Sequence, residues 1–169
     1  MRKALLSVLI AAAVAGLCSA AERQSWNKLR YIGGTPAIKG GSYDWDTTLT
    51  IPSSADAVEI AVEPSSAFGR KQTLRLKLSQ LTSFVNGPGA WEKAAAVPGV
   101  QLPQKPHGLF GLLNRRYMVI SPGEQPLAIF YQDDDGKSGV VLLSCDTRLD
   151  KAIGSALSDR TGKPLVYAK

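Results

Sequence analysis

Val58, Ile60 and Val62 alternate with Glu59 and Ala61, and Leu74, Leu76 and Leu78 alternate with Arg75 and Lys77. A period of two puts the apolar side chains of such a segment on one face and the polar ones on the other. Two of these segments in succession, parted by the turn-forming residues 64–69, point to an antiparallel sheet packed on one side only. Residues 26–32 and 47–51 read as earlier strands, with Gly33-Gly34 and Gly40-Gly41 as turns or bulges and Pro52-Ser53-Ser54 as a stop. Strands resume at 117–120, 127–132 and 139–144. Asp133-Asp134-Asp135-Gly136-Lys137 joins the last two as a tight hairpin, its glycine placed for a positive φ.

One clear helix follows, over residues 147–160. Asp146 and Thr147 are both N-cap candidates, and Asp150 lies three residues after Thr147. Leu149, Ile153, Ala156 and Leu157 share one face, Gly162 supplies the stop, and Pro164 follows it. Residues 165–167 read as a final short strand. Between 86 and 108 the texture is different: Gly87, Pro88, Gly89, Pro98, Gly99, Pro103 and Pro106 punctuate an irregular loop with one helical turn near 91–96. The expected fold is mainly β with one C-terminal helix. The strands form an antiparallel partly open barrel or orthogonal sandwich, and the helix caps the barrel's open end.

The first twenty residues set the compartment. Arg2 and Lys3 precede an apolar stretch over 4–17, and Cys18-Ser19-Ala20 places small residues where a signal peptidase reads them. This is the layout of a signal peptide over 1–20, with export to the periplasm or the extracellular space as its consequence. A lipid-modified Cys18 is the competing reading, but Leu17 stands where a lipoprotein signal wants a small residue. Residues 21–169 then suffice for a single domain without staples. Cys145 is the one cysteine left in that stretch, which excludes an internal disulfide. It ends the apolar run Val140-Val141-Leu142-Leu143, so a buried inert thiol is expected. The net charge of +6 includes Arg2 and Lys3, and no dense basic cluster appears, which argues against nucleic acid.

At finer grain the chain resembles short secreted bacterial proteins of unknown function with a pleckstrin-homology-like fold. Trp26-Asn27-Lys28-Leu29-Arg30-Tyr31 with Gly33-Gly34, then Tyr43-Asp44-Trp45-Asp46, carry the resemblance. So do Leu109-Phe110-Gly111-Leu112-Leu113, Gly136-Lys137-Ser138-Gly139 with Leu142-Leu143, and Thr161-Gly162-Lys163-Pro164. None of these pieces is a catalytic signature, so the resemblance implies a fold rather than an activity.

The chemical motifs read as follows. Gly136-Lys137-Ser138 is not a phosphate loop, because Tyr131 stands where the first glycine belongs and strands flank both sides. Asp133, Asp134 and Asp135 are consecutive, whereas calcium loops alternate their ligands, so a solvated hairpin tip is expected rather than a metal site. Asp44 and Asp46 flank Trp45 but make no cage alone. His107 is the single histidine, which excludes a two-histidine zinc site and leaves one base for a hydrolytic triad. No catalytic residue, cofactor or metal is therefore expected.

The candidate partner-binding residues are Trp91, on the irregular loop, and the apolar run Leu109, Phe110, Leu112 and Leu113 trailed by Arg115 and Arg116. Trp91 either anchors a partner or packs back onto the barrel. The run 109–113 either fills the core or dips into a membrane surface. The function expected is an exported, non-enzymatic binding or scaffold module for an envelope or extracellular protein. Peripheral membrane attachment through 109–113 and an unrecognised envelope hydrolase are the alternatives.

Overall fold

The computed structural model describes residues 23–36, 38, 45–53, 56–63, 70–103 and 123–169. Among them the strands are β1 (Gln24–Gly34), β2 (Thr47–Ile51), β3 (Ala57–Val62), β4 (Gln72–Lys77), β5 (Leu81–Asn86), β6 (Glu124–Gln132), β7 (Ser138–Asp146) and β8 (Leu165–Tyr167). Helix α1 (Ala90–Ala95) lies between β5 and β6, and α2 (Thr147–Thr161) between β7 and β8. The sheet order is β4-β3-β2-β1-β7-β6-β5-β8. All neighbours are antiparallel except β8, which runs parallel to β5. The strand predicted at 117–120 and the signal peptide predicted at 1–20 lie outside the described residues.

β1 belongs to both halves of this sheet. Its first part pairs with β2 and its second with β7, and the register shifts between Trp26 and Leu29 and again between Tyr31 and Gly33. Lys28, inside the first shift, has φ 57, a left-handed backbone that bends the strand. Closure follows from the next connection. β4 and β5 are six places apart in the sheet, about 29 Å if it were flat. Yet only a 3₁₀ turn, Leu78–Gln80, joins them, and three such residues rise about 6 Å. The sheet must therefore curl until its two halves face one another. Four strands on one side of the β1–β7 join, four on the other and a covering C-terminal helix make the mainly β arrangement expected.

The facing sides of the two halves share one core. Leu29, Leu49, Ile51, Val58, Ile60 and Leu76 meet Leu81, Phe84, Leu127, Ile129, Val141 and Leu143, with Ile153 and Leu157 of α2 closing the gap. The helix cap resolves in favour of Asp146, whose carboxylate accepts from the Arg148 backbone N–H at 2.8 Å. At the other end Gly162 has φ 66 and its N–H donates to the Ser158 carbonyl at 2.7 Å.

Two expectations need correction and a third is sharpened. The sheet is packed on one side only over β3 and β4, where Glu59, Arg75 and Lys77 face outward. Over β7 both faces are buried. The continuous run Val140-Val141-Leu142-Leu143 is the signature of that two-sided burial. Secondly, β5 was not expected as a strand, because Leu81–Asn86 carries no clean alternation: Thr82 is exposed while Phe84, Val85 and Asn86 are all buried. Thirdly, the helical turn expected near 91–96 is the six-residue helix Ala90–Ala95, and the described part of 86–108, otherwise irregular as expected, packs on the sheet. It covers the outer face, where Ala90, Trp91, Ala94, Val97, Val100 and Leu102 pack on Ile32, Val85, Ala128, Val140 and Leu142.

Candidate functional site

The strand alternation of β5 turns Phe84 and Asn86 toward the inner face and Val85 outward. Asn86 pairs with Leu127 on one side and Tyr167 on the other, so it stands at the end of the sheet where α2 begins. Gln125, opposite Cys145 in the β6–β7 ladder, shares that inner face. The first turns of α2 bring Thr147, Asp150 and Lys151 over it. Asp150 lies three and seven residues before Ile153 and Leu157, so helical geometry puts this acid on the buried face of α2. A cleft of about 530 Å³ results, lined by Asn86, Gln125, Thr147, Asp150, Lys151, Leu165 and Tyr167.

The polar groups of this cleft are unevenly satisfied. Asp150 is 1% exposed; its Oδ1 accepts from the Lys151 backbone N–H at 2.6 Å and its Oδ2 from Asn86 Nδ2 at 3.5 Å. Burial pushes the Asp150 carboxyl above its ordinary range, and the Lys151 hydrogen bond and charge offset part of that rise. Because Asn86 Nδ2 must face a carboxylate, the orientation of the amide is set. Its Oδ1 then has no donor among the described residues, and neither does Gln125 Oε1. Cys145, behind Gln125, donates from Sγ to the Gln125 carbonyl at 3.8 Å. Burial pushes its thiol up to about 12, and Asp150, Asp146 and Glu124 add to the shift. That thiol is inert, as its place at the end of an apolar run implied.

A second polar cluster occupies the outer face. Arg30 pairs with Glu124, both nearly buried, and Ser144 Oγ donates to the same carboxylate at 2.8 Å. The Arg30 guanidinium lies 5.3 Å from the centroid of the Trp45 ring, which is 44% exposed. Arg30 and Ser144 are cross-strand partners, so this cluster fastens β1 to β7 and β6 where the two halves of the sheet join.

The residues singled out from sequence fall elsewhere. Trp91 is 6% exposed and lies in the outer-face core. A partner anchor needs that ring in solvent, so the packed-back alternative is the one realised. Leu109, Phe110, Leu112, Leu113, Arg115, Arg116, His107 and Asp44 lie outside the described residues. Asp133 is spent on its own turn, accepting from the backbone N–H groups of Asp135 and Lys137, while Asp134 pairs with Lys77 at 2.9 Å. Lys77 thereby holds the exposed Asp134 carboxyl below its ordinary range. Among the described residues no group of His, Cys, Asp and Glu could hold a metal ion, and no helix is long and apolar enough to cross a membrane. Sequence reasoning missed the Asn86–Gln125–Asp150 cleft. One signal was available: an acid on the apolar face of an amphipathic helix.

Neither a family model nor a curated protein matches the chain. A solved structure, the hSac2 domain from human phosphoinositide phosphatase Sac2, is similar to it at 13% identity and a TM-score of 0.49. The alignment covers 100% of this chain and 91% of that one.

Proposed function

We propose that this chain is an exported binding module that holds a ligand in the cleft between α2 and the inner face of β5, β6 and β8. The Asn86 amide carries the reading. It is 4% exposed, anchored by one edge to Asp150, and offers the cleft an acceptor with no donor among the described residues. Such a group costs about 1–3 kcal/mol of desolvation unless something donates to it, and clefts that present one are the default places for a ligand. The chemistry on offer is recognition. The nearest thiol, Cys145, is held protonated at neutral pH and is no nucleophile. The leader-like residues 1–20 support export.

The test is a thermal-shift screen of the wild type beside Gln125→Met, which removes one acceptor at nearly constant volume. Compounds that raise Tm in the wild type and not in the variant are expected. A screen whose every stabilising compound acts equally on both proteins would move the binding site elsewhere. A stabilising compound that is also consumed would favour the hydrolase alternative.

A further inference from the structure

The cleft has an excess of one kind of hydrogen-bonding partner. At the α2 N-terminus two of the donors that an anion would seek are taken: the backbone N–H of Thr147 donates to the Gly123 carbonyl at 3.3 Å and that of Arg148 to Asp146. The acceptors are not taken. Asn86 Oδ1 and Gln125 Oε1 have no donor among the described residues. Asp150 Oδ2 accepts a single long hydrogen bond from Asn86 and keeps lone pairs to spare. Asp150 and Lys151 are the charged residues that line the cleft, and the acid is buried while the cation is exposed at its mouth. A group that carries several donors and a positive charge meets every one of these conditions. An alkylammonium carries three N–H donors on one charged nitrogen, one for each of the three acceptors. The neighbouring Tyr167 and Leu165 side chains offer an aliphatic stem apolar surface.

We infer that the ligand of this cleft presents a primary alkylammonium, received by Asn86 Oδ1, Gln125 Oε1 and the Asp150 carboxylate, with its stem along Tyr167 and Leu165. This rests on the binding reading above and specifies the class of ligand. A free diamine and a lysine side chain of a peptide share this chemistry.

The experiment is an NMR titration of the purified protein at neutral pH with four probes: cadaverine, Nα-acetyl-lysine amide, 1,5-pentanediol and inorganic phosphate. The side-chain amides of Asn86 and Gln125 and the Tyr167 ring report on the cleft. Saturable shifts at these groups with either amine, absent with the diol and phosphate, are expected. Cadaverine acting alone identifies a free amine as the source, and acetyl-lysine amide acting alone identifies a peptide lysine. Asp150→Asn, which preserves shape and the Asn86 contact, should weaken amine binding by about tenfold or more, as loss of a charge-assisted hydrogen bond implies. Gln125→Met should weaken it as well. Diol binding as tight as amine binding, or phosphate binding in place of amines, overturns the ammonium assignment and leaves the cleft as a binding site. Equal amine affinity in the wild type and both variants overturns it too. No shift at these groups with any of the four probes overturns the assignment and counts against the binding reading itself.

Discussion

Asp150 occupies a position where helical periodicity alone calls for a hydrophobe, and it is held there by Asn86 and the Lys151 backbone. Its raised pKa has a consequence for stability. The folded state binds the Asp150 proton more tightly than the unfolded chain does, so its contribution is fully present below the unfolded carboxylate pKa. It is lost as pH rises through the folded value. In the window between those two values, wild-type stability should therefore fall with rising pH relative to Asp150→Asn, as urea midpoints at several pH values would show. Parallel curves would mean that the carboxyl is solvated in the folded state. Cys145 makes the opposite kind of statement. With its thiol pushed up to about 12 by burial, a thiol-labelling disulfide reagent at neutral pH should modify it only on the unfolding timescale. Rapid labelling of the native protein would show that the inner core is open at β7.

At the scale of elements, α2 and α1 seal opposite faces of the same strands. Ile153 and Leu157 enter the inner core from α2, both fully buried. Leu157→Ala should destabilise by about 2–5 kcal/mol through the cavity it leaves, read from a urea midpoint. An unchanged midpoint would mean that α2 is not docked. α1 is only six residues long, too short to persist by itself, so its order must come from Trp91, Ala90 and Ala94 on the sheet. Trp91→Ala should cost about 3–5 kcal/mol. It should also speed amide exchange over 90–95 while β2 and β3, on the far half of the sheet, keep their protection. Exchange over 90–95 that is already fast in the wild type would show that the ring makes no such anchor.

Across the whole molecule, the shared strand β1 and the shared inner core tie the two halves of the sheet together. Tryptophans mark different regions: Trp26 and Trp45 report on the β1–β2 side and Trp91 on the outer face beneath α1. Unfolding followed by tryptophan fluorescence and by far-ultraviolet circular dichroism should then give coincident transitions. Separated midpoints would mean that the two four-strand halves are independently stable. The Arg30–Glu124–Ser144 cluster sits at their join. Removing one charge from a buried pair typically costs about 3–5 kcal/mol, so Glu124→Gln should lower the midpoint of both transitions together. If residues 1–20 are the export signal proposed, N-terminal sequencing of material exported from a bacterial host should begin at Ala21. A chain beginning at a modified Cys18 would restore the lipoprotein alternative.

Residue order alone determined whatever a local period or a turn can encode. Ala57–Val62 is a strand by alternation, Asp133 to Lys137 is a hairpin by turn chemistry, and Thr147–Thr161 is a helix by its cap, its stripe and Gly162. A period reports only whether a side chain faces in or out, never what it will meet. The outer cover of β7 was foreshadowed by four consecutive apolar residues, but that α1 supplies it depends on the path of the chain after β5. The cleft lay further out of reach. Asn86 and Asp150 are 64 positions apart, and in sequence one opens an irregular segment before a glycine while the other reads as part of a helix cap. They become a buried pair only because a three-residue turn forces the sheet to curl, β8 returns beside β5, and α2 is drawn across the opening. That closure removes water from Asn86 and leaves its oxygen without a donor among the described residues, a property of the packed molecule that no local stretch of residues contains.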